Sequence, residues 1–110
     1  MSSSDAMAGA YQALAQRAWD TNRARLKELT AVLDAWRGAG VLGAEERDRG
    51  RSVAHSLRGS AGTFGHHQAA EAADELQKLL LAGATPRLDD VTALVERIDL
   101  GLAEPPDLDL

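Results

Sequence analysis

The sequence predicts an all-α protein, folded as an antiparallel four-helix bundle. Apolar residues recur at helical spacing along most of its 110 residues, and Gly- and Pro-containing segments divide the chain into four such stretches. Aromatic residues make up only 4% of the chain, which favours helix over sheet, and no stretch alternates like a strand. Four amphipathic helices joined by short loops can bury their apolar stripes only against one another.

The first helix is predicted from about Ala8 to Trp36, with a possible break at Asp20-Thr21. We expect one continuous helix, because the apolar stripe keeps its phase across that point. Its predicted buried residues are Tyr11, Ala15, Ala18, Leu26, Leu29, Leu33 and Trp36. Gly38-Ala39-Gly40 is expected to end it, since glycine commonly terminates helices.

Three shorter helices are predicted after it, over residues 44–63, 66–82 and 88–102. Gly65 supplies the first turn between them and Gly83-Ala84-Thr85-Pro86 the second. The inward residues of the last two helices are predicted to be Ala69, Ala72, Ala73, Leu76, Leu79, Leu80, Val91, Leu94, Val95 and Ile98. The predicted layout is therefore a flexible tail over 1–7, a bundle over 8–103 and an acidic, disordered tail over 104–110.

The composition excludes several classes of protein. The chain has no cysteine, so disulfides and thiolate metal sites are absent, and no segment has the length and apolarity of a membrane span. The N-terminus lacks the order of a signal peptide, so we expect a cytoplasmic protein. Residues 1–65 carry nine Lys and Arg against seven Asp and Glu, whereas residues 66–110 carry three against ten. This balance argues against nucleic-acid binding, which requires an excess of cations.

The run from His55 to Gly62 is the most informative stretch. On a helix, His55, Arg58, Gly59 and Gly62 share one face, and Arg51 lies on the same face one turn earlier. The apolar residues Val53, Leu57, Ala61 and Phe64 lie on the opposite face. The histidine is therefore predicted on a polar surface, beside a cation and two residues without side chains.

Two glycines within a helix each cost about 1 kcal/mol relative to alanine. One interpretation is that Gly59 and Gly62 let a neighbouring helix approach closely. The interpretation we favour is that they clear space beside His55 for a docking protein, since they share its face.

His55 itself has three interpretations: a core histidine, a metal ligand or a nucleophile. The helical face argues against the first, and the absence of a second ligand at i+4 argues against the second. The adjacent His66 and His67 are a poor metal pair, because neighbouring helical residues point about 100° apart. Imidazole titrates near pH 6.5, so a neutral ring nitrogen is available at pH 7 to accept and release a phosphoryl group. Arg58 would then stabilise the phosphoryl oxygens.

The run His55-Ser56-Leu57-Arg58-Gly59-Ser60-Ala61-Gly62, followed by Gly65, resembles the signature of histidine-containing phosphotransfer (HPt) domains. The specific similarity covers about residues 53–80. The resemblance implies a four-helix bundle in which His55 is phosphorylated on Nε2. The family usually has lysine where this chain has Arg58, which keeps the charge and adds a planar fork of donors.

The resemblance also implies a Gln or Glu on the next helix that accepts the Nδ1 proton of the histidine. Gln77 is predicted to fill this role, because it lies twelve residues after the turn and His55 ten residues before it. From position alone, Gln77 could equally be a boundary polar residue. The predicted docking surface around His55 consists of Arg51, Gly59, Gly62 and His66.

The resemblance implies a phosphorelay protein that accepts a phosphoryl group from a kinase or a receiver-domain aspartate and passes it to a receiver-domain aspartate. The chain has no Gly-rich nucleotide loop, so we expect an intermediate and not an autonomous kinase. We expect a monomer with no cofactor of its own, and Mg²⁺ on the partner receiver. Two alternatives remain open: a helical docking module that binds receivers or kinases without transfer, and the phosphoacceptor piece of a larger hybrid or chemotaxis-type kinase.

Overall fold

The computed structural model describes residues 3–106 and is all-helical over that range. The helices are α1 (Ser3–Ala39), α2 (Ala44–Thr63), α3 (His67–Leu81) and α4 (Leu88–Gly101). Within the described range the backbone of each helix lies next to that of two others, whereas the diagonal pairs α1/α3 and α2/α4 have no Cα atoms within 8 Å of each other. The predicted all-α four-helix bundle is confirmed.

Helix α1 is continuous over 37 residues, with no break at Asp20-Thr21. It begins at Ser3, earlier than the predicted start at Ala8, so most of the tail predicted over 1–7 is helical; residues 1 and 2 lie outside the described range. No Gly or Pro interrupts residues 3–7, and Asp5 in the first turn interacts favourably with the helix dipole.

The first third of α1 extends past the end of the other helices. Residues 3–14 include no buried side chain, and the molecule measures 57 × 20 × 20 Å, so α1 alone accounts for its long dimension. Tyr11 was predicted to be buried, but it is 39% exposed. Its ring packs instead against Phe64, just after α2, with ring centroids 5.9 Å apart.

The core is formed by one apolar stripe from each helix. Most predicted inward positions are buried, although Leu79 and Ala18 are only partly so. Asn22 is also buried in α1, where its Nδ2 donates to Ser60 Oγ of α2 at 3.1 Å and its Oδ1 accepts from Arg25 at 2.8 Å. Both hydrogen bonds satisfy an amide that would otherwise be costly to bury.

Glycine ends or separates the helices where the backbone turns sharply. Gly40, just after α1, has φ 75°, and Gly65, between α2 and α3, has φ 90°. Gly101 allows a close helix contact, because a Cβ at this position would lie 2.6 Å from the backbone nitrogen of Ala69 in α3.

The chain after α4 is held against the end of the bundle. Trp19 Nε1 and Arg23 both donate to the carbonyl oxygen of Leu102, at 2.8 and 3.1 Å. The predicted tail over 104–110 lies partly outside the described residues, which end at 106. Between residues 3 and 106, no helix is long and apolar enough to cross a membrane.

Candidate functional site

The site lies on one face of the α2–α3 hairpin. The helix α3 folds back antiparallel to α2 at Gly65. A step of three residues forward along α2 therefore corresponds to a step of three residues backward along α3. His55 thereby lies opposite Gln77, and Arg58 lies opposite Asp74. The two pairs form adjacent cross-links between the helices.

His55 is exposed, and its ring is tied to α3 by one nitrogen only. Its Nδ1 lies 3.0 Å from the Nε2 atom of Gln77. The other ring nitrogen makes no hydrogen bond to any described residue. The ring is therefore held in orientation while Nε2 remains accessible.

The Gln77 amide is oriented differently from the sequence-based expectation. Its nitrogen faces Nδ1 and donates to it, whereas we expected its oxygen there, accepting an Nδ1 proton. In this orientation Nδ1 is the acceptor, so a neutral His55 carries its proton on Nε2. Within residues 3–106, Oε1 of Gln77 is buried and has no partner. A rotation of about 180° about the Cγ–Cδ bond exchanges the two amide atoms, so the same side chain can serve either tautomer.

Asp74 joins two cations beside His55. Its Oδ1 is 3.5 Å from Nη1 of Arg58, and its Oδ2 is 2.8 Å from Nζ of Lys78 on its own helix. The hydrogen bond from Lys78 lowers the pKa of Asp74; burial opposes this shift less strongly, and the charges of Lys78 and Arg58 add smaller effects in the lowering direction. The carboxylate is therefore ionised at neutral pH.

The two motif glycines have different surroundings. A Cβ at Gly59 would meet nothing within 4 Å, so this exposed position leaves open space on the helix surface. A Cβ at Gly62 would lie 3.6 Å from that of Ala70 in α3, an ordinary packing distance. Gly62 therefore faces α3, as in the helix-approach interpretation, and Gly59 faces solvent.

The remaining predicted docking residues lie on either side of His55. Arg51 is half-buried, one turn before His55, and pairs with Asp48 at 2.8 Å. His66 lies at the far end of the hairpin, where its Nε2 is 2.9 Å from the carbonyl oxygen of Glu104. The structure therefore groups Arg51 and Gly59 with His55 and places His66 apart. No cluster of His, Cys, Asp or Glu among residues 3–106 is arranged to hold a metal ion.

Comparison with known proteins identifies the family. The family model described as Hpt domain matches residues 13–104, which is most of the chain. The chain belongs to the Hpt domain family. No curated protein and no solved structure matches it. Hpt domains work with kinases and receiver domains in two-component phosphorelays, which gives this protein a role in histidine phosphotransfer.

Two charged residues on the same face of the α2–α3 hairpin as His55 were missed by the sequence analysis. Asp74 and Lys78 were not singled out, although the spacing contained a signal for the first. If Gln77 lies opposite His55, then the residue three before Gln77 must lie opposite the residue three after His55. That rule leads directly from Arg58 to Asp74.

Proposed function

We propose that His55 is the phosphoacceptor of this Hpt domain, acting as a cytoplasmic monomer between a kinase or receiver and a further receiver. The observation that carries the proposal is an exposed imidazole fixed through Nδ1 by Gln77, with Nε2 unbonded within the described residues. A buried or doubly hydrogen-bonded ring would offer no nitrogen to a partner.

The transfer step begins with the Nε2 lone pair of His55 and the phosphorus of a receiver aspartyl phosphate. An N–P bond forms as the P–O bond to the aspartate breaks, and the aspartate leaves as a carboxylate. No proton has to move during this step if Nδ1 already carries one. Onward transfer is the reverse reaction with a second receiver. Mg²⁺, expected on the receiver, would help neutralise the transferring group.

Gln77 sets the tautomer for this step. Attack through Nε2 requires the proton on Nδ1, so the amide must present its oxygen there, the orientation opposite to the resting one. We propose that the amide rotates as the proton moves from Nε2 to Nδ1. The rotation exchanges the two amide atoms, so Oε1 accepts from Nδ1 while Nε2 takes the buried position that Oε1 leaves, and the link between the ring and α3 is kept.

Arg58 and Gly59 supply two further requirements of the transfer step, a cation for the phosphoryl oxygens and open space for the receiver. Arg58 lies one turn beyond His55, and its side chain is 53% exposed, so its free donors can reach phosphoryl oxygens. Gly59 keeps the surface beside the ring low enough for a receiver to approach. Arg51, one turn before the ring on α2, extends the proposed docking surface. Of the other two residues expected there, Gly62 faces α3 and His66 lies at the far end of the hairpin, so both lie away from the ring.

The decisive experiment places labelled phosphate on the protein. Phosphoramidate, or a receiver phosphorylated by a small donor, is incubated with the wild-type protein, His55→Gln and His67→Gln. We expect acid-labile, alkali-stable label on the wild type and on His67→Gln, whose histidine is also exposed, and none on His55→Gln. Label that persists on His55→Gln refutes the site. Receiver binding without any label on the wild type favours the non-transferring docking module.

A further inference from the structure

Asp74 occupies a position in the site that the transfer step described above does not use. It faces Arg58 across the hairpin and Lys78 along α3, at 3.5 and 2.8 Å. It therefore places a negative charge one turn along α3 from Gln77, next to Arg58, the residue proposed to bind the phosphoryl oxygens.

The contact between Asp74 and Arg58 is loose enough to exchange. It involves one guanidinium nitrogen at 3.5 Å, and the arginine side chain is 53% exposed, so the pair is neither bidentate nor shielded from water. A phosphoryl group on a ring nitrogen brings up to about two negative charges and three acceptor oxygens. It would compete with a single carboxylate for the same guanidinium.

The second cation keeps the carboxylate in place. Lys78 binds the other oxygen of Asp74 at 2.8 Å, four residues along the same helix. If Arg58 turns toward a phosphoryl group, Asp74 retains one partner and stays ionised. Movement of Arg58 to the phosphoryl group therefore does not leave the carboxylate of Asp74 without an ion-pair partner.

We propose that Asp74 is a positioning residue that holds Arg58 toward α3 in the unphosphorylated protein and competes with phosphorylated His55 for it. This inference rests on the proposed function. Its consequence is directional: Asp74 makes phosphohistidine less stable than Arg58 alone would make it, and so favours transfer to a receiver. Removal of the carboxylate should shift the equilibrium toward phosphohistidine.

The test measures phosphohistidine directly. Wild type and Asp74→Asn are phosphorylated with phosphoramidate, and the half-life of the label and its equilibrium partition with an added receiver are determined. In Asp74→Asn we expect the half-life of phosphohistidine to be about twofold to fivefold longer than in the wild type. We expect the equilibrium with the receiver to shift toward phosphohistidine by the same factor, which is the range for a partly exposed ion pair. Asp74→Glu, which keeps the charge, should return toward the wild-type value.

A matched control separates this effect from a general change in charge. Asp34→Asn removes a carboxylate from an exposed pair of the same 3.5 Å length, that with Arg37 near the end of α1. We expect this variant to behave like the wild type. Circular dichroism verifies that each variant retains its helices.

The role of Arg58 is tested by a double-mutant cycle. In an Arg58→Gln background, the Asp74→Asn substitution should have little further effect, because the guanidinium for which the carboxylate competes is gone. An equal shift in both backgrounds would show direct repulsion and overturn the proposal, as would an unchanged Asp74→Asn single variant. If the wild type forms no phosphohistidine at His55, the proposed function fails first. If it does, only the role of Asp74 is in question.

Discussion

Gln77 places its amide nitrogen 3.0 Å from Nδ1 of His55, across the interface between α2 and α3. This contact fixes the plane of an otherwise exposed ring, and it also selects the ring nitrogen that carries the proton. An amide can donate or accept at the same position after rotation. A glutamate can only accept when ionised, and a leucine can do neither.

Substitutions of Gln77 therefore distinguish its two effects on His55: holding the ring in orientation and selecting the ring nitrogen that carries the proton. Gln77→Leu should slow phosphorylation of His55 by phosphoramidate about threefold to tenfold, which is the loss expected for one hydrogen bond. Gln77→Glu should keep or raise the rate, since its carboxylate favours a proton on Nδ1. Nitrogen-15 NMR of the ring reports the tautomer in each variant. Gln68→Leu, an exposed glutamine on the same helix, serves as the control. Identical rates and ring shifts in Gln77→Leu would contradict the role.

Much of this arrangement could be predicted from the sequence. Helical periodicity and glycine punctuation located the four helices, and counting residues from Gly65 paired His55 with Gln77. The start of α1 was missed because its first residues carry no apolar stripe, so only their helix-compatible composition signals a helix. The amide orientation was also missed, because both ends of a glutamine side chain have nearly the same shape.

Contacts that depend on close packing were harder to foresee. The link from Asn22 to Ser60 depends on the rotation of α1 relative to α2, which periodicity does not define for a polar residue. Gly101 likewise gives no sequence signal that distinguishes a close approach from an ordinary helix end.

Gly59 is expected to control access to the ring without affecting the fold. Gly59→Leu should leave helicity unchanged, because a Cβ there meets nothing within 4 Å, yet reduce transfer from a phosphorylated receiver at least tenfold by steric exclusion. Small-donor phosphorylation should be much less affected. Ala93→Leu, on exposed α4 surface, is the control. Normal receiver transfer in Gly59→Leu would rule out the steric role.

Gly101 is expected to matter for stability alone. An added methyl would lie 2.6 Å from the Ala69 nitrogen and 2.9 Å from its Cβ, so Gly101→Ala must push α4 away from α3. We expect a loss of about 1–3 kcal/mol in the free energy of unfolding, measured by urea titration. Gly59→Ala is the matched comparison and should gain about 0.5–1 kcal/mol, since it removes backbone freedom without a clash. Equal effects from the two substitutions would contradict the packing argument.

Asp74 should make stability depend on pH in the acidic range. Its pKa is lowered in the folded protein, first by the Lys78 hydrogen bond, so it stabilises the fold above the pKa of the unfolded carboxyl, about 4. That contribution disappears as the pH falls through the lower folded value. Urea midpoints of wild type and Asp74→Asn should therefore differ at pH 6, and the difference should shrink progressively as the pH is lowered below about 4. In a Lys78→Met background the difference at pH 6 should shrink. A gap that is constant with pH would refute this explanation.

The His55–Gln77 and Arg58–Asp74 pairs are three residues apart on both helices, so both pairs depend on the same alignment of α2 with α3. This makes the hairpin sensitive to changes in length. One residue inserted early in α3, ahead of Asp74, would turn every later side chain by about 100° around the helix axis. Both partners would leave their positions together, although neither had been replaced. Substitutions can therefore disable this face one contact at a time, whereas a single insertion or deletion between Gly65 and Asp74 would dismantle it at once.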